Sequence, residues 1–251
     1  MYGRLSRPDL ARDENPRPQT PRPRAATVWR MTDAAEPEPK LDPDPAAALL
    51  GPIDIYLLDQ VLRGRIRPGM RVFDAGCGGG RNLAYFLRAG YDVAGIDGNA
   101  GAIEGVRELA ASLAPDLSPE RFRVAALDGL DGPGVSGAAA DVVICNAVLH
   151  FARDDAHFDA MLRGAWSALL PGGLFFARLA SNIGIEERVR PLGDGRHHLP
   201  DGSQRYLVDE ARLLALTEAL GATLLDPIKT TNVQNLRCMT TWVLRRGEGS
   251  S

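Results

Sequence analysis

The sequence predicts an α/β fold in which helices cover both faces of a mostly parallel sheet. Short apolar runs alternate with segments of helical periodicity from residue 46 onward, and this alternation is typical of parallel sheets. The run at 142–145 is almost entirely apolar, as expected for a strand that is buried on both faces. A glycine-rich turn at 76–80 directly follows the first apolar run, at the point where such sheets place their ligand sites.

The predicted elements follow one another in a regular order. Helices are predicted near 53–64, 83–87, 100–113, 158–169 and 209–221. Strands are predicted at 70–73, 92–96, 122–126, 142–145, 174–179, 223–225 and 240–244. Asp154 or Asp155 should cap the fourth of these helices and Asp209 the last one. Pro171-Gly172-Gly173 is expected to form a turn before the fifth strand. No helix separates the last two strands, so we expect them to pair as an antiparallel hairpin.

Length and composition exclude several classes of protein. The 251 residues suit one large or two small domains, and 45% hydrophobic with 24% charged residues is ordinary for a globular protein. No run approaches the roughly 18 apolar residues of a membrane span. The balance of 29 basic and 32 acidic residues argues against a nucleic-acid-coating protein. Three dispersed cysteines form neither a zinc nor a disulfide pattern, which favours a cytoplasmic protein with no metal site.

Residues 1–47 differ from the rest of the chain. Prolines interrupt every candidate helix or strand there, and apolar residues are sparse. We therefore expect a disordered Pro- and Arg-rich extension at 1–47, followed by one domain at 48–251. Met31 is an alternative start, and the sequence leaves open whether residues 1–30 belong to the natural protein.

The turn at 74–82 reads Asp-Ala-Gly-Cys-Gly-Gly-Gly-Arg-Asn. A phosphate-binding Walker loop would end in Gly-Lys-Ser or Gly-Lys-Thr, and this turn contains no lysine. A dinucleotide fingerprint needs a third glycine where Arg81 stands. The acid that precedes the glycines, Asp74, would repel a pyrophosphate but suits a cationic ligand.

Further polar residues follow the neighbouring strands. Asp97 ends the second strand 21 residues after Gly76, a spacing at which an acid accepts hydrogen bonds from ribose hydroxyls. Asp128 and Gly129 follow the third strand, and Asn146 ends the fourth. All of these positions lie at the carboxyl ends of predicted strands, so they should meet at one crevice.

The segments 76–82, 90–97, 147–151 and 171–173 together resemble class I S-adenosylmethionine-dependent methyltransferases. Within that class they are most similar to the small-molecule branch of the tellurite-resistance type. The resemblance implies a Rossmann-like, doubly wound, seven-stranded sheet that is mostly parallel, with an antiparallel last strand. It also implies S-adenosyl-L-methionine as cofactor and S-adenosyl-L-homocysteine as product. The cofactor-binding residues would be Asp74, Gly76, Gly78, Gly80, Asp97, Asp128, Gly129 and Asn146.

The acceptor is expected to be a small molecule that binds beside the fourth and fifth strands. Residues 145–148 lack the proline and aromatic residues that DNA amino-methyltransferases carry there. The insertion at about 180–207 is too long for a plain connection and is predicted to form a lid. The candidate substrate residues are Arg178, Arg196, His197, His198 and Arg205. His150, four residues after Asn146, is the candidate general base or acceptor-positioning group.

Several alternatives remain at the level of sequence. The accepting atom is open among oxygen, nitrogen, sulfur and a metalloid, and a base is needed only where the acceptor must lose a proton. An NAD-dependent oxidoreductase is the second hypothesis, although Arg81 and Asp74 argue against it. A catalytically silent module that binds the cofactor is the third. We expect neither nucleic acid nor a membrane as partner, and the oligomeric state stays open.

Overall fold

The computed structural model describes residues 44–130 and 139–248. The predicted N-terminal extension lies outside the described residues, except for its last four. Helix α1 (Pro45–Leu50) begins within those four residues, because the Asp44 side chain accepts a hydrogen bond from the backbone N–H of Ala46 at 2.7 Å.

The remaining helices lie close to their predicted positions. They are α2 (Ile55–Leu62), α3 (Leu83–Arg88), α4 (Ala100–Leu113), α5 (Asp155–Ser167) and α6 (Glu210–Ala219). Asp154, rather than Asp155, caps α5, and Asp209 caps α6. None of the helices in the described part of the chain has the length and hydropathy of a bilayer-spanning segment.

The strands run in chain order from β1 to β11. They are β1 (Arg71–Ala75), β2 (Asp92–Asp97), β3 (Phe122–Val124), β4 (Ala140–Asn146), β5 (Leu169–Ser181), β6 (Arg190–Gly193), β7 (Arg196–His198), β8 (Gln204–Tyr206), β9 (Ala222–Leu224), β10 (Lys229–Val233) and β11 (Arg237–Arg246). The central sheet has the order β10-β11-β5-β4-β1-β2-β3. The pairings among strands β1 to β5 are all parallel, and β11 pairs antiparallel with β5. The predicted mostly parallel sheet of seven strands with an antiparallel last strand is confirmed.

Both faces of the sheet are covered by helices. Val72 and Val142 point into one apolar cluster, which contains side chains of α2, α3 and α4. Their chain neighbours Phe73 and Val143 point into a second cluster, which contains side chains of α5 and α6. This alternation follows from the two-residue period of a strand. Because the strand order reverses between β1 and β4, a crevice opens at the carboxyl ends of these two strands.

The turn predicted at 171–173 lies within β5 and forms a bulge. Ala140 pairs with Leu169 and Val142 pairs with Leu174, so four residues of β5 loop out opposite one residue of β4. Gly172 permits this bulge because its φ is +73°. The strand therefore begins five residues before its predicted start.

Two strands, β9 and β10, pair antiparallel with β11, whereas the sequence predicted only one. β9 pairs antiparallel with β11, as predicted. The sequence did not predict β10, which pairs with the other half of β11. β10 reads Lys-Thr-Thr-Asn-Val, a polar edge strand whose register is set by its partner and not by an apolar pattern of its own.

The insertion after β5 carries its own small sheet. β6, β7 and β8 form an antiparallel meander of three strands. Leu199 and Leu207 of this insertion pack against Ala180 of β5 and Met239 of β11. The small sheet is therefore attached to the carboxyl end of β5, beside the crevice.

Candidate functional site

The glycine turn after β1 approaches the loop after β4 closely. Gly76 has a φ of +98°, and a Cβ atom at this position would lie 2.4 Å from Cγ2 of Val148. The backbone N–H groups of Gly76 and Cys77 both donate to the carbonyl oxygen of Ile96, at 2.9 and 2.8 Å. Residue 76 must therefore be a glycine for the turn to keep this path.

Asp97 joins the end of β2 to the same turn. One of its oxygens, Oδ2, accepts a hydrogen bond from the backbone N–H of Gly78 at 3.0 Å. The other, Oδ1, accepts from the backbone N–H of Asn99 at 2.8 Å. The carboxylate is thus fixed at the crevice, and each of its oxygens retains a lone pair for a further donor.

Asp74 is buried at the end of β1, with 1% of its surface exposed. Its Oδ1 atom has no hydrogen-bond partner among the described residues. Burial, and then the negative charge of Asp97, raises its pKa to about 8, although Arg81 opposes this shift. An unpartnered buried carboxyl group fits a ligand that brings a positive charge to this end of the sheet.

The larger cavity at this edge has a volume of about 620 Å³. The predicted cofactor residues in its lining are Gly76, Gly78, Asp97 and Asp128, and most of the remaining lining is apolar. A volume of this size accommodates an extended small ligand. The structure therefore brings four of the predicted cofactor residues, from three strand ends, around one space.

Asp128 contacts a histidine, His157, in the lining of this cavity. The backbone N–H of Arg153 donates to Nδ1 of His157 at 3.0 Å, which leaves the ring hydrogen of the neutral imidazole on Nε2. That atom lies 3.3 Å from Oδ2 of Asp128. Asp128 is thereby held in place while about a third of its side chain remains exposed.

A second, smaller cavity of about 300 Å³ lies on the other side of Ala147. Ala147 lines both cavities. Its φ is +62°, an uncommon conformation for a residue with a side chain, and its N–H donates to the carbonyl oxygen of Arg178 at 2.7 Å. Strained backbone of this kind is frequent at functional sites, and here it lies where the two cavities meet.

Arginine side chains dominate the second cavity. Arg81, Arg178, Arg205 and Arg237 line it, and Asp201 is the one carboxylate in the lining. Asp54, which is buried, lies 2.8 Å from Nη1 of Arg178 and 3.8 Å from Nη2 of Arg81. The guanidinium of Arg178 also lies 5.1 Å from the centre of the Tyr56 ring.

His150 lines the second cavity and is almost completely buried. Its Nδ1 atom accepts a hydrogen bond from the backbone N–H of Ala180 at 3.2 Å. Burial, followed by the charges of Arg205 and Arg237, lowers its pKa to about 4. His150 is therefore neutral at pH 7 and carries its hydrogen on Nε2.

The predicted site residues divide into those that line a cavity and those that do not. The second cavity contains the predicted residues Asn146, His150, Arg178 and Arg205. Outside both linings lie Asp74, Gly80, Gly129, Arg196, His197 and His198. Gly80 faces α4 instead, where a Cβ would lie 2.8 Å from Val106. Arg196 and His197 make their hydrogen bonds within the small sheet, to Gln204 and to the carbonyl oxygen of Gly195.

Sequence reasoning missed four polar residues of the second cavity. They are Arg81, Asp201, Ser203 and Arg237. Arg81 stands where a dinucleotide fingerprint has its third glycine, which does not indicate a second cavity. Arg237 lies at the start of β11, and no local pattern connects it with the other arginines of the cavity, of which the nearest in sequence, Arg205, is 32 residues earlier. Among the described residues, no group of three His, Cys, Asp or Glu side chains could hold a metal ion.

Known proteins of similar sequence show which family this chain belongs to. Residues 73–175 match a family model described as a methyltransferase domain. The ubiquinone biosynthesis O-methyltransferase of Xanthomonas campestris pv. campestris (strain B100) is 30% identical over 190 residues, which cover 70% of this chain and 71% of that protein. The chain belongs to the class I S-adenosylmethionine-dependent methyltransferases. Its cofactor is S-adenosylmethionine and its product is S-adenosylhomocysteine, and the family membership decides against an NAD-dependent oxidoreductase.

Solved structures show that this methyltransferase shares its fold with more distant proteins. The 1,6-didemethyltoxoflavin-N1-methyltransferase of Burkholderia thailandensis, solved with 1,6-didemethyltoxoflavin and S-adenosylhomocysteine, is 21% identical with a TM-score of 0.58, over 80% of this chain and 79% of that chain. The magnesium protoporphyrin IX methyltransferase of Synechocystis PCC 6803, solved with the methyl donor bound, is 18% identical with a TM-score of 0.54, over 76% of this chain and 77% of that chain.

Proposed function

We propose that this methyltransferase transfers a methyl group to an oxygen atom of a small molecule. The observation that carries the proposal is the pair of cavities that meet at Ala147. One is lined by the strand-end acids and the glycine turn, and the other by arginines. An oxygen is the accepting atom that the name of the Xanthomonas relative suggests.

The larger cavity is the proposed cofactor site. In this proposal Asp97 accepts hydrogen bonds from the ribose hydroxyls and Asp128 accepts one from the adenine amino group. Asp74 would stabilise the ammonium of the methionine portion, because its Oδ1 has no partner among the described residues. Gly76 and Gly78 would let the ligand approach the backbone. The resemblance also implied Gly80, Gly129 and Asn146, and none of these, nor Asp74, is in the lining of the larger cavity.

The methyl donor, when bound, supplies a methyl group on a positively charged sulfur. The protein's own contribution is then alignment of the two molecules and exclusion of water, which together lower a barrier by up to about 7–11 kcal/mol in favourable cases. His150 would position the acceptor through its Nε2–H. A general base with a pKa of about 4 accepts a proton poorly from a neutral hydroxyl group, so the positioning role is the better of the two predictions.

The insertion is the proposed cover of the acceptor. Leu199, Asp201, Ser203 and Arg205 all line the second cavity, which supports the prediction of a lid. The finer resemblance to tellurite-resistance-type methyltransferases stays a prediction, as does a cytoplasmic location. A metalloid oxyanion is consequently one of the acceptors to be tested.

A turnover assay with methyl-labelled donor tests the proposal. The panel contains catechols, phenols, carboxylates, thiols, amines and tellurite, and the label is followed into organic or volatile product. We expect the label to be transferred to an oxygen acceptor, and we expect Asp97→Ala to reduce the rate of this transfer. Labelled product only with thiols, amines or tellurite would refute the oxygen assignment, while no transfer to any acceptor would favour the catalytically silent module.

A further inference from the structure

The second cavity carries more positive charge than its own residues neutralise. Asp54 offsets part of the charge of Arg178 and Arg81 from behind the cavity wall. Arg205 and Arg237 have no carboxylate within 4.0 Å among the residues described, and Asp201 is the one acid in the lining. The remaining charge would be favourably offset by an anion in the cavity.

Asp201 leaves this excess largely intact. Partial burial raises its pKa, but hydrogen bonds from Ser203 and the charges of Arg237 and Arg205 lower it below its usual value. Its Oδ1 accepts hydrogen bonds from the N–H and the hydroxyl group of Ser203, at 2.9 and 2.6 Å. Asp201 is thus an ionised carboxylate engaged by Ser203, and it balances one guanidinium at most.

Unpartnered hydrogen-bond donors point to the same kind of ligand. Asn146 is 8% exposed and lines the cavity, and its Nδ2 finds no acceptor within the described ranges. The Nε of Arg178, on the neighbouring strand, also has none there. With the Nε2–H of His150, the inner wall offers donors without acceptors, which is the pattern that a ligand rich in oxygen would satisfy.

The two arginines without a carboxylate partner among the described residues differ in their surroundings, and Nη1 of Arg205 donates to the backbone carbonyl oxygen of Gln204 at 2.7 Å. The guanidinium of Arg205 lies 5.1 Å from the ring centre of Phe151, which limits the positions it can take. Arg237 is exposed at the start of β11. Apolar side chains of Leu199, Val233 and Met239 belong to the same lining and suit the carbon skeleton of a small organic molecule.

We propose that Arg205 and Arg237 form an anion-binding subsite that selects acceptors bearing a carboxylate or phosphate group. This subsite rests on the proposed function, because the second cavity is the acceptor site only if the first holds the cofactor. The planar guanidinium fork matches both anions through paired hydrogen bonds. In this proposal the anionic group binds to the arginines and is not itself methylated, and the accepting oxygen of the same molecule lies nearer to Ala147.

Calorimetric titrations of the S-adenosylhomocysteine complex test the subsite. The ligands are matched pairs: 3,4-dihydroxybenzoate against 3,4-dihydroxybenzamide, and phenyl phosphate against phenol. We expect at least one anion to bind about tenfold more tightly than its neutral partner, the scale of one hydrogen bond to a charged group. Arg205→Gln and Arg237→Gln should each reduce this preference, and Arg237→Lys should restore part of it.

Arg245→Gln is the matched control. Arg245 lies on the same strand as Arg237 but at its other end, where it pairs with Leu174. The control should keep the anion preference of the wild type. The proposal is overturned if no anion in the panel binds more tightly than its neutral partner, or if the preference survives in the Arg205→Gln/Arg237→Gln double variant. The affinity for S-adenosylhomocysteine, measured in the same samples, reports separately on the proposed cofactor site.

Discussion

The backbone N–H of Ala180 donates a hydrogen bond to Nδ1 of His150 across 3.2 Å. This bond determines which nitrogen of the imidazole carries the hydrogen, and it presents an N–H donor rather than a lone pair at Nε2. A buried histidine in this arrangement is suited to orient an oxygen-bearing acceptor. It is poorly suited to remove a proton, because doing so requires the lone pair that Ala180 already occupies.

The first prediction separates these two roles of His150. His150→Ala leaves the N–H of Ala180 without a partner, so the free energy of unfolding should fall by about 1–3 kcal/mol. His150→Asn places an amide oxygen near Nδ1 but lacks the donor at Nε2, so it should recover stability without recovering turnover. Chemical denaturation and single-turnover rates measure the two effects. Full turnover by His150→Asn would contradict the positioning role.

The pH dependence of turnover gives a second test of the same residue. Because burial and two arginines lower the pKa of His150 to about 4, the group stays neutral from pH 5.5 to pH 8. At saturating cofactor, and with an acceptor that does not titrate in this range, kcat should show no inflection near the ordinary histidine pKa of about 6.5. An inflection there that His150→Asn removes would show that His150 acts as a base.

The third prediction concerns Asp97. Its carboxylate accepts the N–H of Gly78 and is the proposed partner of the ribose, so Asp97→Ala removes both interactions. The affinity for S-adenosylhomocysteine should fall by about 1.5–3 kcal/mol, the scale for hydrogen bonds to a charged group. Asp116→Ala is the control, since Asp116 is exposed and lines neither cavity. Equal affinities of the two variants by calorimetry would remove Asp97 from the cofactor site.

The fourth prediction follows from the pKa of Asp74. Burial raises this pKa from 3.8 to about 8, so the carboxyl group is mostly protonated at pH 7 in the free protein. A cationic ligand favours the ionised form, and binding should therefore release a proton and become about tenfold or more tighter between pH 6 and pH 8. Calorimetry in buffers of different ionisation enthalpy measures the proton release. No release, or affinity that is independent of pH, would contradict the role of Asp74.

The same shift has a consequence for stability. The folded protein holds the Asp74 proton up to about pH 8, whereas the unfolded chain loses it near 3.8. The stability that the protonated Asp74 contributes is therefore complete below pH 4 and is lost as the pH rises toward 8. Asp74→Asn should flatten this part of the profile and raise the thermal midpoint at pH 8 while it weakens cofactor binding. A variant that is less stable than the wild type at pH 8 would show that the ionised carboxylate has a partner.

The fifth prediction compares two glycines of one turn. In Gly76→Ala the new Cβ would lie 2.4 Å from Cγ2 of Val148, and the backbone at this position has a positive φ. The positive φ alone costs a residue with a Cβ about 1–2 kcal/mol. Gly79 has no atom of the described residues within 4 Å of its Cβ position. Gly79→Ala should thus bind S-adenosylhomocysteine like the wild type, and Gly76→Ala should bind it weakly. Similar affinities of both variants would show that the turn does not need the observed path.

The sequence predicted elements well where the signal was local. Helix α4 was predicted at 100–113 and found at Ala100–Leu113, because Asn99 caps its start and its apolar residues repeat at helical spacing. β10 was missed because its pairing with β11 decides its conformation and its own residues are polar. The three strands of the insertion are likewise too short for an alternating pattern to identify them.

The lining of the larger cavity was more predictable than the lining of the second cavity. Asp97 ends β2 and Asp128 follows β3, the neighbouring strand, so the topology alone brings them to one edge. The second cavity combines Arg81, Arg178 and Arg237 from three distant parts of the chain. These arginines come together because β11 inserts antiparallel beside β5 and because Asp54 forms an ion pair with Arg178. Neither feature can be predicted from the spacing of residues in the sequence.

A crystal structure of the complex with S-adenosylhomocysteine would show whether the strand-end carboxylates bind the cofactor. We expect the ligand in the larger cavity, with both ribose hydroxyls on Asp97, the adenine amino group near Asp128 and the sulfur directed toward Ala147. A ligand found in that cavity with its ribose turned away from Asp97, or bound at another face of the sheet, would contradict the proposed cofactor site.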